Sequence, residues 1–233
     1  IDDAFRRSRR MAEVADASAA LESKLESGRQ MLARKIDRIE EAVKMLVGPM
    51  RGQMMAKDRL LAAGEYAVPA LLRQIVEGRD LSLEAAATRT LIEMRRQSAL
   101  PLALVLPSLD PAAQRKVCTI LGQLGYPVSI PVLLDVAQAK GATSDVTTAA
   151  MDAVRALGGK DQPAHEAYAA TAQTFLTGDM SLAAFPGEDM QNCWRWTEFG
   201  GLACEHVSTS VYFDVMAMLM SRRALELEPS DDR

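Results

Sequence analysis

The strongest constraint on this chain is a phrase that it uses twice. Residues 62–69 read AAGEYAVP and residues 124–131 read LGYPVSIP. Each leads from the end of an apolar helical pattern, through a glycine, to an apolar residue and a proline. Four of the ten prolines, at positions 69, 101, 131 and 163, stand 32, 30 and 32 residues apart. Self-similarity at such a period marks a stacked repeat, in which one unit cannot bury its own apolar face and needs a neighbour.

Before each of these prolines a helical pattern ends six or seven residues earlier, at Ala63, Met94, Leu124 and Leu157. Aligned on those ends, the position three residues back holds Leu60, Leu91, Leu121 and Val154. Seven back it holds Ala56, Ala87, Val117 and Ala150. That is one face of an amphipathic helix with a small residue low on it. Gly64, Gly125 and Gly158 follow directly, where a helix C-terminus favours a residue that tolerates positive φ. The second unit departs from this with Arg95. Asp80, Asp110 and either Thr143 or Ser144 stand where an N-cap would satisfy the free amides of a first turn. A second apolar run follows each proline: Leu71, Leu72, Ile75 and Val76, then Leu102, Leu104, Val105 and Leu106, then Val132, Leu133, Leu134 and Val136. Proline is tolerated in a helix's first turn, where its missing N–H costs nothing. Each unit therefore reads as helix, short turn and proline-started return helix, with Pro107 ending the second return helix early.

The stretches LLAAGEYAVPALLRQIVEG, TLIEMRRQSALPLALVL and TILGQLGYPVSIPVLLDVA together resemble HEAT-like repeats, in particular the short bacterial kind related to phycobilisome-lyase repeats. The resemblance covers about residues 50 to 177. It implies an all-α fold, a right-handed α-solenoid of about four HEAT-like helical hairpins, with the return helices lining a concave face. A protein or peptide partner is then expected on that face, against Arg73, Gln74, Glu77, Asp135 and Gln138. The arginine that such repeats often carry early in the first helix is replaced here by Glu84, Gln114 and Thr147, so the usual inter-repeat charge ladder is not expected. In the fourth unit His165 and Glu166 stand where Leu or Val would lie, as suits the polar end of a solenoid.

Three segments follow from this reading: a helical N-terminal segment (1–48), the repeat array (49–178), and a C-terminal segment (179–233). In the first, Leu21, Leu25, Leu32, Ile36, Ile39, Val43 and Leu46 recur at three- and four-residue steps, broken by Gly28. A long helix or helical hairpin packed on the first repeat is expected, and an oligomerising coiled coil is the alternative. The C-terminal segment carries both tryptophans. Trp194 and Trp196 alternate around Arg195, which places both on one face of a strand. Gly200-Gly201 permits a tight turn, and Leu202 to Val207 return as the paired strand of a small β-hairpin. The tryptophans are expected to cap the last repeat, packing on the return helix of residues 163–177 or on the final helix, or else to offer an aromatic surface to a partner. From Val211 the pattern is helical again. Its ending RRALELEPS weakly resembles the tail of a tetratricopeptide repeat, which implies further helical repeats beyond Arg233.

Composition narrows the function. The net charge of −4 is unevenly spread: residues 160–233 hold 5 Lys/Arg against 12 Asp/Glu. An acidic C-terminal third argues against nucleic acid, which demands a basic face to displace counterions. No run of some eighteen apolar residues is present, so no membrane span is expected. A cytoplasmic location follows from that reading, although the chain begins at Ile1 and a targeting segment would precede it. The oligomeric state is left open. Cys118, Cys193 and Cys204 do not form a disulfide framework, and a single cross-strand disulfide between the last two depends on strand register. Cys193, Cys204 and His206 lack the usual paired spacing of a zinc site, so no metal or cofactor is expected. No glycine-rich phosphate loop, GxSxG, HExxH or CxxC occurs. The expectation is a non-catalytic interaction scaffold. A lyase-like or thiol-dependent enzyme using Cys204 and His206, which alternation puts on one strand face, is the runner-up.

Overall fold

The computed structural model describes residues 2–197 and 201–228 of the 233-residue chain. It is mostly helical, with one two-stranded antiparallel sheet near the C-terminus. The chain divides into two compact units, residues 1–67 and 68–233.

The first unit holds α1 (Asp2–Ser8), α2 (Ala15–Ala33), α3 (Ile36–Met45) and α4 (Met50–Ala63), followed by a 3-10 turn at Gly64–Ala67. Ile39, Ala42, Val43 and Leu46 recur at helical spacing and face Ala56, Leu60 and Ala63 across the α3–α4 contact. Gly28 does not break α2; the break falls at Lys35, whose backbone is extended at φ −69 and ψ 128. A glycine inside a helix costs about 1 kcal/mol relative to alanine, too little to stop one that packing and its neighbours support. The Arg34 guanidinium lies over the Tyr66 ring, 4.8 Å from its centroid.

The second unit opens with α5 (Val68–Glu77), α6 (Leu81–Glu93), α7 (Arg96–Val105), α8 (Pro111–Leu124), α9 (Ile130–Gln138), α10 (Ser144–Ala156) and α11 (Ala164–Leu176). Asp80 accepts hydrogen bonds from the amides of Ser82 and Leu83 at the start of α6. Asp110 does the same for Ala112 and Ala113 at the start of α8. Thr143, rather than Ser144, caps α10 through Val146. The eight positions aligned on the helix ends are fully buried in every case. Gly64, Gly125 and Gly158 have positive φ, and so does Arg95 (φ 54, ψ −124), the one non-glycine residue among those described that does. The chain geometry at the second turn is thus the one that glycine serves elsewhere, with an arginine under strain in its place.

One expectation fails in α7. The return helix begins at Arg96, and Pro101 sits inside it rather than at its start. Ser98 supports the beginning of this helix, donating its hydroxyl to the carbonyls of Leu91 (2.7 Å) and Arg95 (2.9 Å). Its proline replaces only an amide that would reach back to the first turn. Helices α6, α8 and α10 pack in succession, as do α5, α7, α9 and α11. Within this unit, contacts between successive helices take an unexpected form. Gln114 and Thr147 donate to the carbonyls of Leu106 and Ala137, which end the preceding return helices. Lys116 bridges Glu84 (2.6 Å) and the carbonyl of Ile75 (3.4 Å). Gly122 lets α8 and α10 approach closely, since a Cβ there would stand 3.0 Å from Ala153 Cα.

After α11 come a 3-10 turn at Met180–Leu182, strands β1 (Met190–Thr197) and β2 (Gly201–Ser208), and α12 (Thr209–Leu227). Gly200 of the expected turn, and Pro229 and Ser230 of the tetratricopeptide-like ending, lie outside the described residues. The strands pair with Trp194 opposite Cys204 and Cys193 opposite Glu205. Cys193 and Cys204 therefore point to opposite faces of the hairpin, and no disulfide joins them. Buried Gln191 ties the segment together: its amide donates to the Phe185 carbonyl (2.8 Å) and to Thr209 Oγ1 (3.3 Å).

Candidate interaction surface

Helix α7 and the turn after it read SALPLALVL from Ser98 to Leu106, with no charged residue on any side. A helix that is apolar all round must be covered all round. It is: every residue of that stretch except Leu104 is buried. Strand β1 packs on α7, β2 packs on α5, and α12 packs on both strands and along α11. Arg96 anchors the approach to the hairpin by donating to the carbonyl of Ser181 (3.3 Å). The C-terminal segment thus lies against the return helices themselves, not only beyond the last one.

This changes the environment of the polar residues expected on an open return-helix face. Asp135 in α9 is only 5% exposed. Its Oδ2 accepts from Arg223 Nε of α12 at 2.8 Å and from the Tyr168 hydroxyl of α11 at 3.2 Å, while Oδ1 accepts from Arg223 Nη2 at 3.0 Å. Far from facing a partner, this carboxylate is the hub that joins three helices. A bidentate guanidinium matches the fork of a carboxylate, and low local dielectric strengthens the pair. The hydrogen bond to Asp135 holds Arg223 further above its ordinary range, and burial pushes the Tyr168 hydroxyl up. Nearby, Phe175 and Tyr212 meet edge to face with centroids 6.5 Å apart, locking α11 to α12 at the other end.

Gln138 is exposed but also committed. Its amide donates to the Gln162 carbonyl (2.8 Å), and its Oε1 accepts from the Ala164 amide (3.0 Å), capping α11 where Pro163 offers no side-chain acceptor. Gln74 is half-buried, with a marginal 3.5 Å bond to its own helix at the Ala70 carbonyl.

Arg73, Glu77 and Trp196 are brought together. On α5, Pro69, Leu72, Arg73 and Val76 share one side at helical spacing, while Leu71 and Ile75 turn into the core. That side, Glu77 and the hairpin residues Trp196, Gly201 and Leu202 line a crevice of about 180 Å³. Its lining is mainly apolar and includes Arg73. Trp194 and Trp196 share a strand face as expected but differ in exposure. Trp194 is 4% exposed and serves the core, whereas Trp196 is 39% exposed and opens onto the crevice. Gly201 lies close to the edge of the Trp196 ring: a Cβ there would stand 3.8 Å from it, at a φ of +69 that disfavours one anyway.

Cys204 and His206 do share a face of β2, opposite Trp194 and Asn192 respectively. Cys204 is half-buried and His206 exposed. No group of three or more His, Cys, Asp or Glu side chains suited to a metal is present among the described residues. None of the described helices is long and apolar enough to cross a membrane. Cys118 is buried in α8, and burial pushes its thiol up to about 12.

Two features escaped sequence reasoning. The uncharged run of α7 signalled a covered helix. The lone Asp135 inside PVLLDVA signalled a buried charge needing a partner, although nothing local pointed to Arg223, 88 residues away. Comparison with known family models, curated proteins and solved structures gives no match to this chain.

Proposed function

We propose that this chain is a non-catalytic protein-interaction scaffold built as a right-handed solenoid of HEAT-like hairpins, and that a protein or peptide partner engages the crevice between α5 and the β-hairpin. The repeat reading is supported by the burial of all eight aligned positions and by the recurrence of one strained turn geometry at Gly64 and Arg95. The observation that carries the binding reading is the crevice. It brings Trp196 to Arg73 and Glu77, more than a hundred residues earlier in sequence, around an apolar floor open to solvent. A half-exposed tryptophan with an arginine at its side is the residue pairing that dominates interface energetics. The C-terminal segment serves as the wall of the site, since it holds Trp196 and covers the remaining return helices.

Affinity capture with four forms of the chain tests this: unaltered, Trp196→Ala, Arg73→Glu, and Arg115→Glu on the opposite helices. Proteins retained by the unaltered form and by Arg115→Glu, but lost with the first two substitutions, are the expected result. Equal retention by all four forms overturns the assignment of the crevice.

A further inference from the structure

A second surface, independent of the crevice, lies in the first unit. Helix α2 buries only Ser18 fully, yet it carries Leu21, Leu25 and Leu32 on one flank, 53%, 42% and 43% exposed. With Gly28 between them, these residues step by four, three and four, the a/d spacing of a helix that pairs with another helix. Gly28 stays helical, and a Cβ built on it meets nothing within 4 Å. Its flank is therefore an open notch in the leucine stripe, of the size that a neighbouring leucine fills.

The charges beside the stripe select the partner and its direction. With Leu25 and Leu32 as a positions and Leu21 and Gly28 as d positions, Glu22 and Arg29 take the e positions and Lys24 a g position. A parallel pair would set Lys24 of one helix against Arg29 of the other, a like-charge clash. An antiparallel pair sets each Glu22 against the other copy's Arg29, giving two reciprocal ion pairs related by a two-fold axis. The same register stacks Leu21 on Leu32 and fits Leu25 into the Gly28 notch, twice each. Among the described residues Arg29 pairs with Glu26 at 3.7 Å, an exposed contact that solvent screens. Glu22, which accepts from Arg9 in its own chain, becomes shared between two arginines. We infer that α2 is a homodimerisation helix, pairing antiparallel with α2 of a second copy of this chain. At roughly 28 Å the helix offers a small interface, so the dimer is a weak one that forms and dissociates with concentration.

Sedimentation equilibrium of the full chain, from low micromolar to near-millimolar concentration, tests the inference. A monomer–dimer equilibrium is expected, with Leu25→Glu abolishing it. Either Glu22→Lys or Arg29→Glu alone should weaken it about tenfold, since two attractions become two repulsions. The double variant Glu22→Lys/Arg29→Glu should restore it. All three positions are on the surface or in exposed ion pairs, and unchanged circular dichroism verifies that each of the four variants folds. A monomer throughout the range, a dimer that survives Leu25→Glu, or a double variant no better than the singles would overturn the proposal.

Discussion

Replacing Arg223 by alanine isolates the strongest single tie between α12 and the helices beneath it. The substitution removes two charge-assisted contacts on Asp135 and leaves that carboxylate, 5% exposed, with the Tyr168 hydroxyl still donating to it. Stranding one member of a buried ion pair costs about 3–5 kcal/mol. Here the guanidinium is 39% exposed, so water enters when it is removed and screens part of the loss. A destabilisation of about 2 kcal/mol is expected. Tyr168→Phe removes one neutral donor and should cost about 1 kcal/mol. Replacing both ends of the pair, Asp135→Leu with Arg223→Met, should recover much of the loss, because an apolar pair of similar volume needs no desolvation. The coupling between positions 135 and 223 in a double-mutant cycle should then reach about 1–3 kcal/mol. Urea unfolding gives the energies, and amide exchange of residues 209–227 shows whether the loss begins in α12. A change below about 0.5 kcal/mol for Arg223→Ala, the level of an ordinary surface substitution, would refute the reasoning.

Three further predictions follow from the fold. Leu121→Ala removes a fully buried side chain from α8, which packs on α6 and α10, and should cost about 2–5 kcal/mol by urea unfolding. Arg95→Gly relieves a φ of 54 and should stabilise the protein by about 1 kcal/mol despite the added freedom of the unfolded chain. Cys118 should resist alkylation at neutral pH until the protein unfolds. Because its thiol is raised in the folded state, stability owed to it is complete below the ordinary thiol value and is lost as pH rises from there toward about 12, a slope that Cys118→Ala should flatten.

The helices and their ends were legible because local physics decides them. Asp80 and Asp110 announce their caps, and glycine at 64, 125 and 158 announces positive φ, so the aligned position at Arg95 could be placed even though the residue itself disagreed. The strand pairing was legible from alternation around Arg195. What the sequence did not disclose was the path of the C-terminal segment, because that depends on contacts across many tens of residues, such as Arg223 with Asp135 and the hairpin with α5 and α7. The candidate surface divided accordingly. Arg73, Glu77 and Trp196 met, while Asp135 and Gln138, polar in sequence and therefore assigned to a partner, were taken up by the protein's own hydrogen bonds.

The crevice as a partner site is tested most directly by a photoreactive amino acid placed at Val76, inside it, and separately at Thr119, on the exposed side of α8. Irradiation in the native cell should yield one discrete adduct from Val76, absent from Thr119, and the adduct should disappear when Trp196 is replaced by alanine. An adduct of equal yield from Thr119, or a Val76 adduct that persists without the Trp196 ring, would contradict the account.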